Sequence, residues 1–92
     1  MNFQHIEGQD KGKIVMYALS TCMWCRMAKD LMRQLGVAYD FVDVDLLVAD
    51  EKELARAEIS RWNPRGNYPT IVIDDRECLA GFDELKIRSR LG

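Results

Sequence analysis

Tyr17-Ala18-Leu19-Ser20-Thr21-Cys22-Met23-Trp24-Cys25 is the stretch that decides the fold. The continuous apolar run of Ile14, Val15, Met16, Tyr17, Ala18 and Leu19 predicts a strand over residues 13–19, covered on both faces. The two cysteines stand where that strand gives way to a helix, with Ser20 and Thr21 supplying hydroxyls suited to cap its start. Only a thiolate attacks a disulfide sulfur at a useful rate, so position controls reactivity. Cys22 falls at the first helical turn, where unpaired backbone N–H groups and the positive end of the helix dipole favour negative charge. Cys25 lies three residues on, close enough to bond to Cys22 and more deeply buried by the helix. The pattern assigns attack to Cys22 and resolution to Cys25.

A C-x-x-C is also half of a zinc site, but structural zinc takes four ligands. The remaining candidates, Cys78 and the single His5, stand at no recognised spacing, so no metal is expected. A stapled secreted domain would carry several cysteine pairs and a signal peptide. Residues 1–12 are polar, with His5, Glu7, Gln9 and Asp10, and are expected to form a tail ahead of one domain over 13–92. With 13 basic and 15 acidic residues, the net charge of -2 gives no sign of a nucleic-acid or membrane surface. No apolar run approaches the ~20 residues that span a bilayer. The expected setting is the cytoplasm, the expected state a monomer, and the expected partners are other proteins or small thiols.

Past Cys25 a helix continues with Ala28, Leu31, Met32 and Leu35 on one face and ends at Gly36; Arg26 and Arg33 take the polar face. Tyr39, Phe41, Val42 and Val44 predict a second strand, reached by a right-handed crossover. Asp50 with Glu53 reads as a capping pair opening a second helix, with Leu54, Ala55, Ile59 and Trp62 inward. Thr70–Ile73 and Glu77–Ala80 predict two strands around an Asp74-Asp75 turn, and residues 82–91 a closing helix. Cys78 reads as a small buried hydrophobe, and His5 as solvated.

This β-α-β-α-β-β-α order, with C-x-x-C after the first strand, resembles the glutaredoxins, including the small NrdH-type redoxins. Three motifs carry the resemblance: the Tyr17 to Cys25 segment, Tyr68-Pro69-Thr70, and Gly81-Phe82-Asp83-Glu84-Leu85. The resemblance implies an α/β thioredoxin fold, a four-stranded mixed sheet flanked by three helices, with a thiol-disulfide oxidoreductase activity. It implies a cis Pro69 that exposes the Tyr68 backbone to pair with a bound thiol's backbone beside Cys22. It also implies a Gly81-Phe82-Asp83 turn that receives a ligand's carboxylate and ammonium, Asp83 being equally a simple helix cap. Arg65 lies near a position that contacts glutathione's glycine carboxylate in the family, and Trp24 is either a partner anchor or a packed loop aromatic.

The sequence departs from the family pattern at Leu19, where most members carry a lysine, at Asn67, where they carry threonine, and at Met23, which replaces proline. What the resemblance implies is reduction of protein disulfides or glutathione mixed disulfides, with no tightly bound cofactor and glutathione as co-substrate. Two alternatives stay open: an NrdH-like electron donor to ribonucleotide reductase recharged by thioredoxin reductase, and an iron–sulfur cluster-binding glutaredoxin.

Overall fold

The computed structural model describes Met1–Gly92. The chain runs β1 (Gln4–Ile6), β2 (Ile14–Ala18), α1 (Met23–Leu35), β3 (Tyr39–Asp43), a 3-10 turn (Val44–Leu46), α2 (Ala49–Trp62), β4 (Thr70–Ile73), β5 (Glu77–Ala80) and α3 (Glu84–Leu91). One sheet orders these strands β1-β3-β2-β4-β5. β2 and β3 are parallel, joined by α1 as the crossover; β4 and β5 continue antiparallel on one side, and β1 closes the other edge.

Strand alternation divides the interior into two layers. Ile14, Met16 and Ala18, with Tyr39, Phe41, Ile71 and Ile73, face α1 and α3 and meet Cys25, Ala28, Leu31, Met32, Ile87 and Leu91. Tyr17, Val42 and Val72 face the other way and meet Ala55 and Ile59 of α2. Burying one large aliphatic side chain contributes about 1.5–3 kcal/mol. Met16, Met32, Ile71, Ile73, Ile87 and Leu91, all fully buried, are therefore what holds α1 and α3 to the sheet.

The sheet has five strands, not four. The extra strand lies within the stretch expected to be a tail: Gln4, His5 and Ile6 pair with Phe41, Asp40 and Tyr39. Past it, Gln9 N–H donates to Gly36 C=O at 2.7 Å and Ala38 N–H to Gln9 C=O at 2.9 Å. Gly8 permits this approach, since a Cβ there would lie 2.7 Å from the backbone of residues 36–38. His5 accordingly has a partner, Asp40 Oδ1 at 2.6 Å from Nδ1.

Helix starts also differ from expectation. α2 begins at Ala49 behind Val48, which makes no side-chain cap, so Asp50 and Glu53 are not a capping pair; Asp50 and Glu51 instead place negative charge in the first turn, favourable to the helix dipole. Ala55, Ile59 and Trp62 form the inward face of α2, and Leu54, one residue before Ala55, falls outside it and is 64% exposed. Trp62 packs against the α2-side core with its indole N–H donating to Glu58 at 3.0 Å. α3 begins at Glu84, two residues later than the sequence suggests.

Candidate active site

Cys22 is itself the N-cap of α1. Its backbone is extended (φ -88°, ψ 120°), and its Sγ accepts the Cys25 N–H at 3.3 Å. A sulfur acceptor thus takes the place expected for the hydroxyls of Ser20 and Thr21, and negative charge on Cys22 meets an N–H donor and the positive helix end together. Ser20 is turned away to Asp45, donating its N–H to Oδ1 at 2.8 Å and its hydroxyl to Oδ2 at 2.5 Å. These bonds hold the Asp45 carboxyl below the usual carboxylate range and pin the loop before Cys22 to the 3-10 turn.

Cys25 is fully buried while Cys22 is partly exposed. Burial pushes the Cys25 thiol up to about 12, reinforced by its hydrogen bond with Cys22 and by charge on Cys22; a Leu19 backbone hydrogen bond and the Lys29 ammonium act in the opposite direction. Cys22 is thus the more accessible of the two sulfurs, and Cys25 the one whose protonated form burial favours.

The Tyr68-Pro69 peptide bond is cis, and Pro69 is buried at the head of β4. Its carbonyl accepts the Gly81 N–H at 2.7 Å, joining the second sequence motif to the third. Tyr68 packs against both cores, and burial raises its phenol, with Arg56 acting in the opposite direction. Gly81 has φ 75°, the left-handed region that favours glycine. Phe82 follows and stacks on Trp24, ring centroids 6.1 Å apart at 22°. Asp83 is the N-cap of α3, accepting Lys86 N–H at 3.1 Å.

Cys22, Trp24, Cys25, Tyr68, Pro69, Gly81, Phe82 and Asp83 therefore lie on three chain turns drawn together at one end of the sheet. Arg65 is exposed and stands outside the adjoining cavity of about 430 Å³, whose wall includes Leu19, Asp45, Lys52, Arg56, Gly66 and Tyr68. Lys52 and Arg56, one helical turn apart on α2, are cations the sequence reading passed over. Their i,i+4 spacing in a helix that leads into the Tyr68 loop was the available signal. Asn63, at the end of α2, was missed as well. No group of three or more His, Cys, Asp or Glu side chains gathers in metal-binding geometry, and no helix is long and apolar enough to cross a membrane.

Comparison with known proteins fits this geometry. The family model described as Glutaredoxin matches residues 14–78. The crystal structure of the glutaredoxin from Methanosarcina mazei Go1 superposes with TM-score 0.90 at 46% identity, covering 98% of this chain and 87% of that one. Methanosarcina acetivorans methanoredoxin gives TM-score 0.89 at 48% identity, covering 92% and 90%. Glutaredoxin 1 of Rickettsia typhi is 32% identical over 72 residues, 78% of this chain and 65% of the relative. With a redox turn, a cis proline and a glycine turn converging on one dithiol, and with the family match spanning most of the chain, the protein belongs to the glutaredoxin family of thiol-disulfide oxidoreductases.

Proposed function

We propose that this protein is a dithiol reductant of protein disulfides, with glutathione mixed disulfides as a smaller substrate of the same site. The observation that carries the choice of a protein substrate is the apolar collar beside Cys22. Met23 is 67% exposed and Trp24 56%, Met27 is exposed one turn on, and the Trp24 indole is backed by Phe82. Large apolar side chains left in water around a reactive group match a partner that covers them, and a tripeptide covers little.

The step balances in thiols. Cys22 thiolate attacks one sulfur of the substrate disulfide, forming the Cys22 mixed disulfide and releasing the other sulfur as a thiolate that takes up a proton. Cys25 then loses its proton and attacks Cys22 Sγ, freeing the second substrate thiol and leaving the Cys22–Cys25 disulfide. Two electrons have passed to the substrate. The first step prepares the second: once Cys22 is neutral and disulfide-bonded, both contributions from Cys22 that hold the Cys25 thiol up are removed, while Lys29 and the Leu19 bond still favour its thiolate.

Glutathione or a thioredoxin reductase returns the electrons in the cytoplasm. Lys52 and Arg56, beside Leu19 and Tyr68, support glutathione, since they offer a carboxylate the charge that position 19 lacks. Trp24→Ser tests the proposal: kcat/KM on a protein disulfide falls about tenfold while that on 2-hydroxyethyl disulfide stays within twofold. Equal loss on both substrates contradicts the protein-disulfide reading.

A further inference from the structure

Asn63 and Thr70 are the two polar side chains this fold buries, 3% and 0% exposed, and they bond to each other, Asn63 Nδ2 donating to Thr70 Oγ1 at 3.0 Å. An amide in the interior is costly unless its hydrogen bonds are made. Here they are made to one neighbour of the site. Asn63 Nδ2 also donates to Asn67 C=O at 3.1 Å and to Asn67 Oδ1 at 2.8 Å, and the Thr70 hydroxyl donates to the same Asn67 C=O at 2.9 Å. A backbone carbonyl only accepts, so the Asn63 nitrogen must be the group facing it, and the two Asn63 N–H groups are shared among three acceptors while the Thr70 hydroxyl closes the triangle.

The triangle brackets Tyr68 and Pro69 on both sides. Its base is fixed in turn: Asn63 N–H donates to Ile59 C=O at 2.6 Å, and Gly66 N–H to Asn63 C=O at 2.9 Å. Its far corner meets the third motif, because a Cβ at Gly81 would lie 2.9 Å from Asn67 Nδ2. One buried amide thus ties the end of α2, the Tyr68 loop and the Gly81 turn into a single junction.

We infer that Asn63 is a positioning residue: through Asn67 and Thr70 it fixes the Tyr68 backbone, and thereby sets affinity for disulfides that carry a peptide backbone, without touching the sulfur chemistry. The inference rests on the function proposed above and on the backbone pairing at Tyr68 that the family resemblance implies. Asn63→Asp keeps the size and removes the amide donors, turning an oxygen toward the Asn67 carbonyl. Folding is checked by circular dichroism. Single-turnover oxidation of the reduced protein is then followed with glutathione disulfide, which has a peptide backbone, and with 2-hydroxyethyl disulfide, which has none.

The half-saturating concentration of glutathione disulfide rises about tenfold, its limiting rate stays within about twofold, and the rate of Cys22 alkylation by iodoacetamide is unchanged, as is the response to 2-hydroxyethyl disulfide. Thr70→Val, which keeps the buried shape, raises the same concentration about two- to fivefold and serves should the first variant fail to fold. Equal shifts with both disulfides, a slowed Cys22, or an unmoved half-saturation in a folded variant overturns the role of Asn63. Wild-type protein that oxidises with neither disulfide overturns the proposed function itself.

Discussion

The two arms of the site are built in opposite ways. The Cys22–Cys25 arm is local: residues three apart on one turn, a sulfur cap, and one sulfur out while the other is in. The Tyr68–Gly81 arm is assembled across the chain from the end of α2, the start of β4 and the turn before α3, held by Asn63 and by the Gly81 N–H on Pro69. In the function proposed here, the difference teaches that the chemistry is written in a short motif, whereas the grip on the substrate depends on tertiary structure. Changes in the first arm should act on the sulfur steps, and changes in the second on affinity and stability.

The largest expected effect separates the two cysteines. Cys22→Ser abolishes disulfide reduction, whereas Cys25→Ser keeps glutathione-dependent monothiol turnover and accumulates mixed disulfides with protein substrates, visible as reductant-sensitive bands on non-reducing gels. Mixed disulfides trapped by Cys22→Ser instead would merge the two roles and break the comparison.

Gly81→Ala probes the assembled arm. A left-handed backbone costs an L-residue about 1–2 kcal/mol, and the new methyl meets Asn67 as well. The variant should lose about that much in chemical denaturation and bind glutathione disulfide more weakly, with Cys22 alkylation unchanged. Slower alkylation would show the arms to be one unit.

Much of this contrast follows from what a sequence exposes. The β2–α1 segment was legible because its apolar run and C-x-x-C spacing are local, and Asp83 because a helix cap is too. β1 was not, since Gln4 and His5 are polar and half of its pairing comes from Tyr39 to Phe41, far along the chain. Asn63 carries no pattern at all; only the fold shows that its amide is buried opposite Asn67. Leu54 was misread because Ala55, Ile59 and Trp62 already define the buried face of α2, and a residue one before Ala55 stands about 100° round the helix from it.

Leu19→Lys sharpens the first arm. A cation at an exposed helix N-terminus is worth about 0.3–1 kcal/mol to a nearby anion, so alkylation of Cys22 near neutral pH should accelerate about two- to fivefold. Asp45, on the same cavity wall, limits the gain. No acceleration would mean that position 19 points away from the sulfur.

Three titrating groups carry small effects of defined sign. The Cys25 thiol is raised by folding, so its contribution to stability is complete below about 9 and declines as pH climbs towards 12. Tyr17, also raised to about 12 by burial, acts in the same sense. Cys25→Ala should flatten the fall in melting temperature between pH 8 and 10.5 without abolishing it. His5 is raised by Asp40 and, more weakly, Glu7, so its contribution is complete below about 6.5 and is lost above it. His5→Gln should speed amide exchange in β1 at pH 6 and leave both arms of the site unaffected.

The most direct test of unequal cysteines is limited alkylation of the fully reduced protein with substoichiometric iodoacetamide, followed by peptide mapping. The account predicts label on Cys22, with Cys25 and Cys78, whose thiols are both raised by burial, essentially unmodified. First labelling at Cys25 would contradict it, because the buried sulfur would then be the one that attacks.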